Sequence, residues 1–163
     1  MLLDKALSSA SAEKGPRIYL SPRGIKFDQA FAKDLSKEQG AIFICGRYEG
    51  VDERFLIYNN VIEVSVGDFI LSGGEIGAQL MIDATVRLLP NVIGNSIGLV
   101  EESFENNLLE YPLYTYPRVW NELEVPEVLL SGDHKRIKKW KTEMSEKLTK
   151  SKRPDLWSKY IKS

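Results

Sequence analysis

A single cysteine, Cys45, and a single histidine, His134, stand in this chain of 163 residues. One thiol excludes an internal disulfide, and the two residues leave no His/Cys cluster of zinc spacing, so no metal site is expected. The same scarcity argues against covalent acyl chemistry, which needs a thiol–imidazole pair or a serine triad. No apolar run approaches a membrane span, and Met1-Leu-Leu-Asp4 has neither the basic start nor the long apolar stretch of a signal peptide. No membrane partner and a cytoplasmic location are therefore expected. Two nucleotide signatures are also absent, Gly-x-x-x-x-Gly-Lys-[Ser/Thr] and Gly-x-Gly-x-x-Gly opening a helix, which removes the standard phosphate cradles.

What remains is the composition of a soluble globular protein, long enough for one core with or without an appendage. The net charge of −1 hides an asymmetry. Residues 131–163 hold 11 Lys/Arg against 4 Asp/Glu, which leaves 11 against 19 ahead of them. A basic tail on an acidic body suggests a polyanion read by one end of the molecule, against the plainer alternative of a solvated helix face.

Along the chain, residues 1–11 read as the end of a helix, with Leu2, Leu3, Ala6 and Leu7 at helical spacing. Residues 17–20 form a short strand expected to stop at Ser21-Pro22-Arg23-Gly24, because proline cannot donate to a ladder and glycine permits a tight reversal. Phe27, Ala30, Phe31 and Leu35 repeat at three and four, which predicts a crossover helix. Residues 41–45 are a continuously apolar strand, the pattern of a parallel sheet covered on both faces. Asp52 is placed to cap a short helix carrying Phe55, Leu56 and Ile57, and residues 61–66 read as a third strand. A very short fourth run, Phe69-Ile-Leu71, precedes a helix over 75–89 that ends at Pro90 and is apolar on more than one stripe, hence expected to be deeply buried. Strand and helix alternate without an internal repeat, so residues 1–92 are expected to form an α/β domain with a mainly parallel sheet.

From residue 93 to 116 the chain turns polar and then aromatic and proline-rich, which marks a linker. Residues 117–163 are expected to form a small helical domain. One of its helices has Ile137, Trp140, Met144 and Leu148 on one side and Lys135, Arg136, Lys138, Lys139 and Lys141 around it.

Five of the chain's 12 glycines lie between residues 46 and 75, in Gly46-Arg-Tyr-Glu-Gly50, at Gly67, and in Leu71-Ser-Gly-Gly-Glu75. Glycine turns following apolar strands suggest a pocket walled by main chain. Read from the residues alone, the plainer alternative for Val66, Phe69, Ile70 and Leu71 is core packing, and Glu102 reads as one more solvated acid.

Four separated motifs point further: Tyr19-Leu-Ser-Pro22, Cys45-Gly-Arg-Tyr-Glu-Gly-Val-Asp-Glu-Arg54, Val66-Gly-Asp-Phe-Ile-Leu-Ser-Gly-Gly-Glu75 and Val128-Leu-Leu-Ser-Gly-Asp-His134. In register over nearly the whole chain, they closely resemble the bacterial tRNA (guanine-N1)-methyltransferases of the SPOUT superfamily. The resemblance implies a trefoil-knotted α/β domain, an exception to the rule that chains do not thread loops. It further implies a homodimer with tRNA lying across both subunits, and methyl transfer from S-adenosylmethionine to N1 of guanine at tRNA position 37, when guanine also precedes it. The family's N-terminal segment, with a first strand and a glycine-rich loop, is expected to be missing ahead of Met1. Two alternatives share parts of this pattern: a knotted methyltransferase acting on another RNA or on a ribose 2′-oxygen, and a noncatalytic RNA-binding module.

Carried over residue by residue, the resemblance implies donor contacts from Tyr19, Leu20, Ser21, Pro22, Gly46, Tyr48, Gly50, Val66, Gly67, Asp68, Phe69, Ile70, Leu71, Gly73 and Gly74. Glu102, in Glu101-Glu-Ser-Phe104, takes the place of the family's catalytic aspartate, one methylene longer. Arg87 matches an arginine proposed to hold the guanine carbonyl oxygen or a phosphate. Gly77 stands where the family usually has proline. Lys135, Arg136, Lys138 and Lys139 fit contacts to the tRNA backbone, and His134 fits capping or orienting that helix. A magnesium requirement is not readable from the sequence.

Overall fold

A computed structural model describes residues 2–10, 14–46, 50–92 and 102–162. Two compact units divide the chain, Met1–Gly94 and Asn95–Ser163.

In the first unit the order is α1 (Leu2–Ser9), β1 (Arg17–Lys26), α2 (Gln29–Leu35), β2 (Ile42–Ile44), α3 (Glu53–Tyr58), β3 (Ile62–Ser65) and α4 (Glu75–Val86). The strands form one sheet in the order β2-β1-β3, with β1 parallel to both neighbours. Parallel pairing requires crossovers, and α2 and α3 supply helical ones. Each begins at an aspartate N-cap: Asp28 accepts the Phe31 amide at 3.0 Å and Asp52 the Arg54 amide at 2.8 Å. Capping of this kind satisfies a backbone donor that the helix itself leaves orphaned.

Side-chain alternation along the strands feeds two cores. On one face Ile44 packs with Leu7 of α1 and Phe55 and Leu56 of α3, flanked by Tyr19 and Ile42. On the other, Ile18 and Val64 pack with Leu35 of α2 and Met81 of α4, flanked by Leu20 and Phe43. Ile18, Val64 and Met81 are wholly inaccessible. Burial of side chains this size stabilises by about 1.5–3 kcal/mol each. The mixed α/β expectation is met with a parallel sheet of three strands.

Three readings of the chain need correction. First, β1 does not stop at Pro22. Leu20 and Ile25 both pair with Val64, so residues 21–24 are extruded as a bulge and the ladder resumes beyond them. Proline without an N–H is at no disadvantage there, and Gly24 is needed, because a Cβ at that position would overlap the Val64 main chain. Second, Phe69-Ile-Leu71 adds no strand: it is an exposed bend running toward α4. Third, α4 is not buried on all sides. Gly77, Ala78, Met81 and Thr85 face inward, whereas Ile76, Leu80, Ile82 and Val86 stay exposed. One stripe is enough to seat the helix on its unit, so the remaining apolar residues are left uncovered within it.

The second unit contains a 3-10 turn at Glu105–Asn107, a hairpin of β4 (Val119–Trp120) and β5 (Leu123–Glu124), and helices α5 (Glu127–Leu130), α6 (His134–Lys152) and α7 (Pro154–Tyr160). The hairpin turns on Asn121 and Glu122, with φ of 49° and 64°, as a two-residue connection with both central residues left-handed requires. On α6, Asp133 is the N-cap and accepts the Lys135 and Arg136 amides at 3.0 and 3.1 Å, so His134 is the first helical residue and not the cap. Ile137, Trp140, Met144 and Leu148 are half-buried, and Ser145 and Thr149 are buried. Tyr160 of α7 donates to Glu146 at 2.7 Å, and Lys141 lies 4.4 Å over the Tyr111 ring.

Candidate functional site

Where the parallel strands end, the first unit opens into a cavity of about 290 Å³. Three segments wall it. The bulge of β1 contributes Tyr19, Leu20, Ser21 and Pro22; Gly46 after β2 and Gly50 ahead of α3 form the second; the end of β3 and the approach to α4 contribute Val66, Gly67, Phe69, Ile70, Leu71, Gly73 and Gly74. A crevice outside the carboxyl ends of the strands is the usual ligand position in open α/β sheets.

Local chemistry explains the shape. Ser21 Oγ accepts the Arg23 amide at 3.3 Å, turning the bulge outward. Arg23 then reaches back to Glu63 on β3 and Glu53 on α3, which anchors the bulge from its outer side. After β3, Ser65 Oγ accepts the Gly67 amide at 3.3 Å, and Gly67 turns with φ of 150°. A side chain there would be strained, and its Cβ would overlap the Phe69 ring.

Of the residues the resemblance assigns to the donor, all line this cavity except Asp68, which is not among its walls, and Tyr48, which lies outside the described residues. Val64, Ser65 and Ser72 also line it and were not singled out from sequence. For Ser65 and Ser72 the signal was positional only, since each adjoins a residue that was; Val64 gave none beyond its place in an apolar strand. Arg87 is the half-buried C-cap of α4 and borders a separate cavity of about 540 Å³ with Gln79, Ile82, Asp83, Val86 and Val92. Glu102 is half-buried in the second unit; next to it, Ser103 Oγ accepts the Glu110 amide at 2.9 Å. Lys135, Arg136, Lys138 and Lys139 are all exposed on α6.

Among the described lining residues none carries a charge, so none of them offers a cation to a phosphate. Glycine-rich turns beside apolar side chains suit a small organic ligand, and the volume stands at the lower edge of the range for such ligands, about 300–1,000 Å³. Cys45 adjoins this region. Burial, with Glu75 nearby, pushes its thiol pKa up, which keeps it protonated and a poor nucleophile. No group of three or more His, Cys, Asp or Glu suited to a metal occurs among the described residues. No described helix is long and apolar enough to cross a membrane.

These features define an α/β protein with a glycine-rich pocket at the strand ends, uncharged among its described walls. Comparison with known proteins makes the class specific. Residues 1–159 match the family model of tRNA (guanine-1)-methyltransferase, TrmD. A tRNA (guanine-N(1)-)-methyltransferase of Pelagibacter ubique is 54% identical over 162 residues, covering 99% of this chain and 71% of the relative. The protein of that name from Rhodospirillum rubrum is 47% identical, covering 98% and 67%, and that from Roseobacter denitrificans is 55% identical, covering 88% and 59%. The chain belongs to the tRNA (guanine-1)-methyltransferase family, as the motifs led one to expect. It spans between 59% and 71% of the length of these three relatives.

Proposed function

We propose that this chain transfers the methyl group of S-adenosylmethionine to N1 of the guanine at position 37 of tRNA, where a guanine precedes it. The observation that supports the reading is one cavity at the strand ends, lined by three separated segments to which the resemblance assigns donor contacts. Its glycine-rich walls, uncharged among the described residues, support an adenosyl group held by main chain. When bound, the donor supplies an electrophilic methyl on a sulfonium.

The chain's own residues do the rest. Glu102 takes the N1 proton of guanine, leaving the ring nitrogen's lone pair free for the methyl; a positioned base of this kind contributes about 10²–10⁴-fold. Arg87 balances the negative charge that deprotonation spreads to the guanine carbonyl oxygen. Residues 1–92 form the knotted donor domain, residues 93–116 the linker that carries the base, and residues 117–163 the tRNA-binding domain. The enzyme works in the cytoplasm as a homodimer, with tRNA across both subunits. The uncovered apolar stripe of Ile76, Leu80, Ile82 and Val86 supports a second copy as its cover. Exposed Lys135, Arg136, Lys138 and Lys139 support contacts to the tRNA backbone.

Radiolabelled methyl transfer to a tRNA transcript, followed by digestion to nucleosides, tests the reading. N1-methylguanosine from the guanine at position 37, lost in Glu102→Ala, is the expected result. A 2′-O-methylated nucleoside would replace it with a different knotted methyltransferase. No binding of the donor in titration would leave an RNA-binding module.

A further inference from the structure

Thr149 of α6 has no accessible surface, although it is polar. Both capacities of its hydroxyl are used: it donates to the Ser145 carbonyl at 2.7 Å and accepts the Leu109 amide at 2.8 Å. The first bond is local to the helix. The second joins residues 40 positions apart and is the reason a hydroxyl is needed, since valine would fill the same space and leave the Leu109 amide without its acceptor.

Leu109 belongs to a loop closed on itself by two further bonds. The Glu110 amide donates to Ser103 Oγ at 2.9 Å, and the Phe104 amide donates to the Leu108 carbonyl at 2.7 Å. Within it Phe104, Asn106 and Asn107 have φ of 75°, 49° and 59°; asparagine adopts this region readily, whereas a phenylalanine keeps it only where its surroundings hold it. Glu102 stands directly before this loop. A strained loop pinned at one buried point transmits that point's position to the residue at its mouth.

We propose that Thr149 is a positioning residue for Glu102: its hydroxyl, through the Leu109 amide, holds the loop over residues 103–110 in the one shape that sets the Glu102 carboxylate in place. The inference rests on the reading of Glu102 as the base. Thr149 touches no substrate, so its effect falls on turnover and not on donor binding.

Steady-state methyl transfer by the full chain, with Thr149→Val, Thr149→Ser and Glu102→Ala measured side by side, tests it. Thr149→Val is expected to lower kcat by about tenfold or more, as a misplacement of roughly an ångström does, with the KM for S-adenosylmethionine unchanged. Thr149→Ser, which keeps the hydroxyl, should restore kcat. Wild-type kcat in Thr149→Val, a change confined to the donor KM, or a loss that serine does not restore would overturn the proposal. Hydrogen exchange in the unsubstituted protein provides a measurement independent of how the variants fold. The Leu109 amide should exchange as slowly as the α6 amides, and exchange at the rate of an open loop would overturn the proposal too. If Glu102→Ala is inactive while Thr149→Val is fully active, only the role of Thr149 falls. If Glu102→Ala keeps full activity, the assignment of the base falls first.

Discussion

Arg23 and Glu63 meet in a two-point pair, Nε to Oε2 at 3.1 Å and Nη2 to Oε1 at 3.0 Å. Arg23 lies in the bulge of β1 and Glu63 on β3, and the same Nη2 reaches Glu53 in the first turn of α3 at 2.9 Å. One guanidinium thus ties the extruded residues to two separate elements, while Ser21 and Pro22 beside it wall the cavity. Because the arginine is largely exposed, little global stability depends on it. Arg23→Ala is expected to raise the Kd for S-adenosylmethionine by about tenfold, or about 1.4 kcal/mol, with the thermal midpoint nearly unmoved. Lysine, a point charge without the planar fork, should recover only part of the affinity. Calorimetric titration decides it: an unchanged Kd in Arg23→Ala means the bulge holds without the pair.

Gly77 is buried in the first turn of α4. A Cβ there would stand 3.0 Å from Leu20 Cδ1, so Leu20 would have to give by a few tenths of an ångström. Leu20 lines the cavity, which makes two effects of Gly77→Ala separable. Replacing a helical glycine stabilises by up to about 1 kcal/mol, whereas displaced Leu20 narrows the pocket. The variant is expected to melt higher and to bind S-adenosylmethionine more weakly. Tighter binding, measured by the same titration, would place the rim away from Leu20.

Much of the first unit was legible because periodicity reports burial directly. Phe31 and Leu35 at helical spacing, the unbroken run at residues 42–44, and Asp52 ahead of Phe55 each carry their structure locally. The cavity was legible for a related reason, since Gly67 and Gly74 mark places where main chain turns or approaches closely. The bulge was not, because Pro22 and Gly24 have the same local chemistry whether a strand ends or loops out; only the return of Ile25 to Val64 distinguishes them. Nor was the exposed stripe of α4, as apolar spacing shows what wants cover and not what supplies it. Thr149 was invisible altogether. Its partner is 40 residues away, and a threonine among lysines reads as surface.

Asp52 supplies a pH prediction. Its side-chain bond with Arg54, helped by the Arg54 amide, lowers its pKa from the ordinary 3.8 to about 2. A carboxylate whose folded pKa is depressed contributes stability that is complete above its unfolded value and lost as pH falls through the folded one. The cap of α3 should therefore weaken between pH 3.8 and about 2, and the protonation of Asp52, followed by carboxyl chemical shifts, should centre near the lower value. Asp155, paired with Arg153 at the start of α7, should titrate alongside it for the same reason. Protonation of either group near its ordinary value would show the arginine pairs absent in solution.

The basic face of α6 is not uniform, and its members should behave differently toward tRNA. Lys135, Arg136 and Lys138 are exposed, and Lys139 is exposed but only 3.8 Å from Glu143. Lys141 is half-buried over the Tyr111 ring, so its stem and charge serve packing. Each phosphate contact releases condensed counterions, which lowers affinity with salt by a slope of about 0.7–0.9 per contact. Removing Lys135 or Lys138 as alanine should weaken tRNA binding and flatten the plot of log Kd against log salt by about that amount, while kcat at saturating tRNA is kept. Lys139→Ala should do less, because Glu143 already neutralises part of the charge. Lys141→Ala should lower the thermal midpoint and leave the salt slope alone. Filter binding of a tRNA transcript across a potassium chloride series checks all four, and equal slopes in every variant would mean this face of α6 does not meet the nucleic acid.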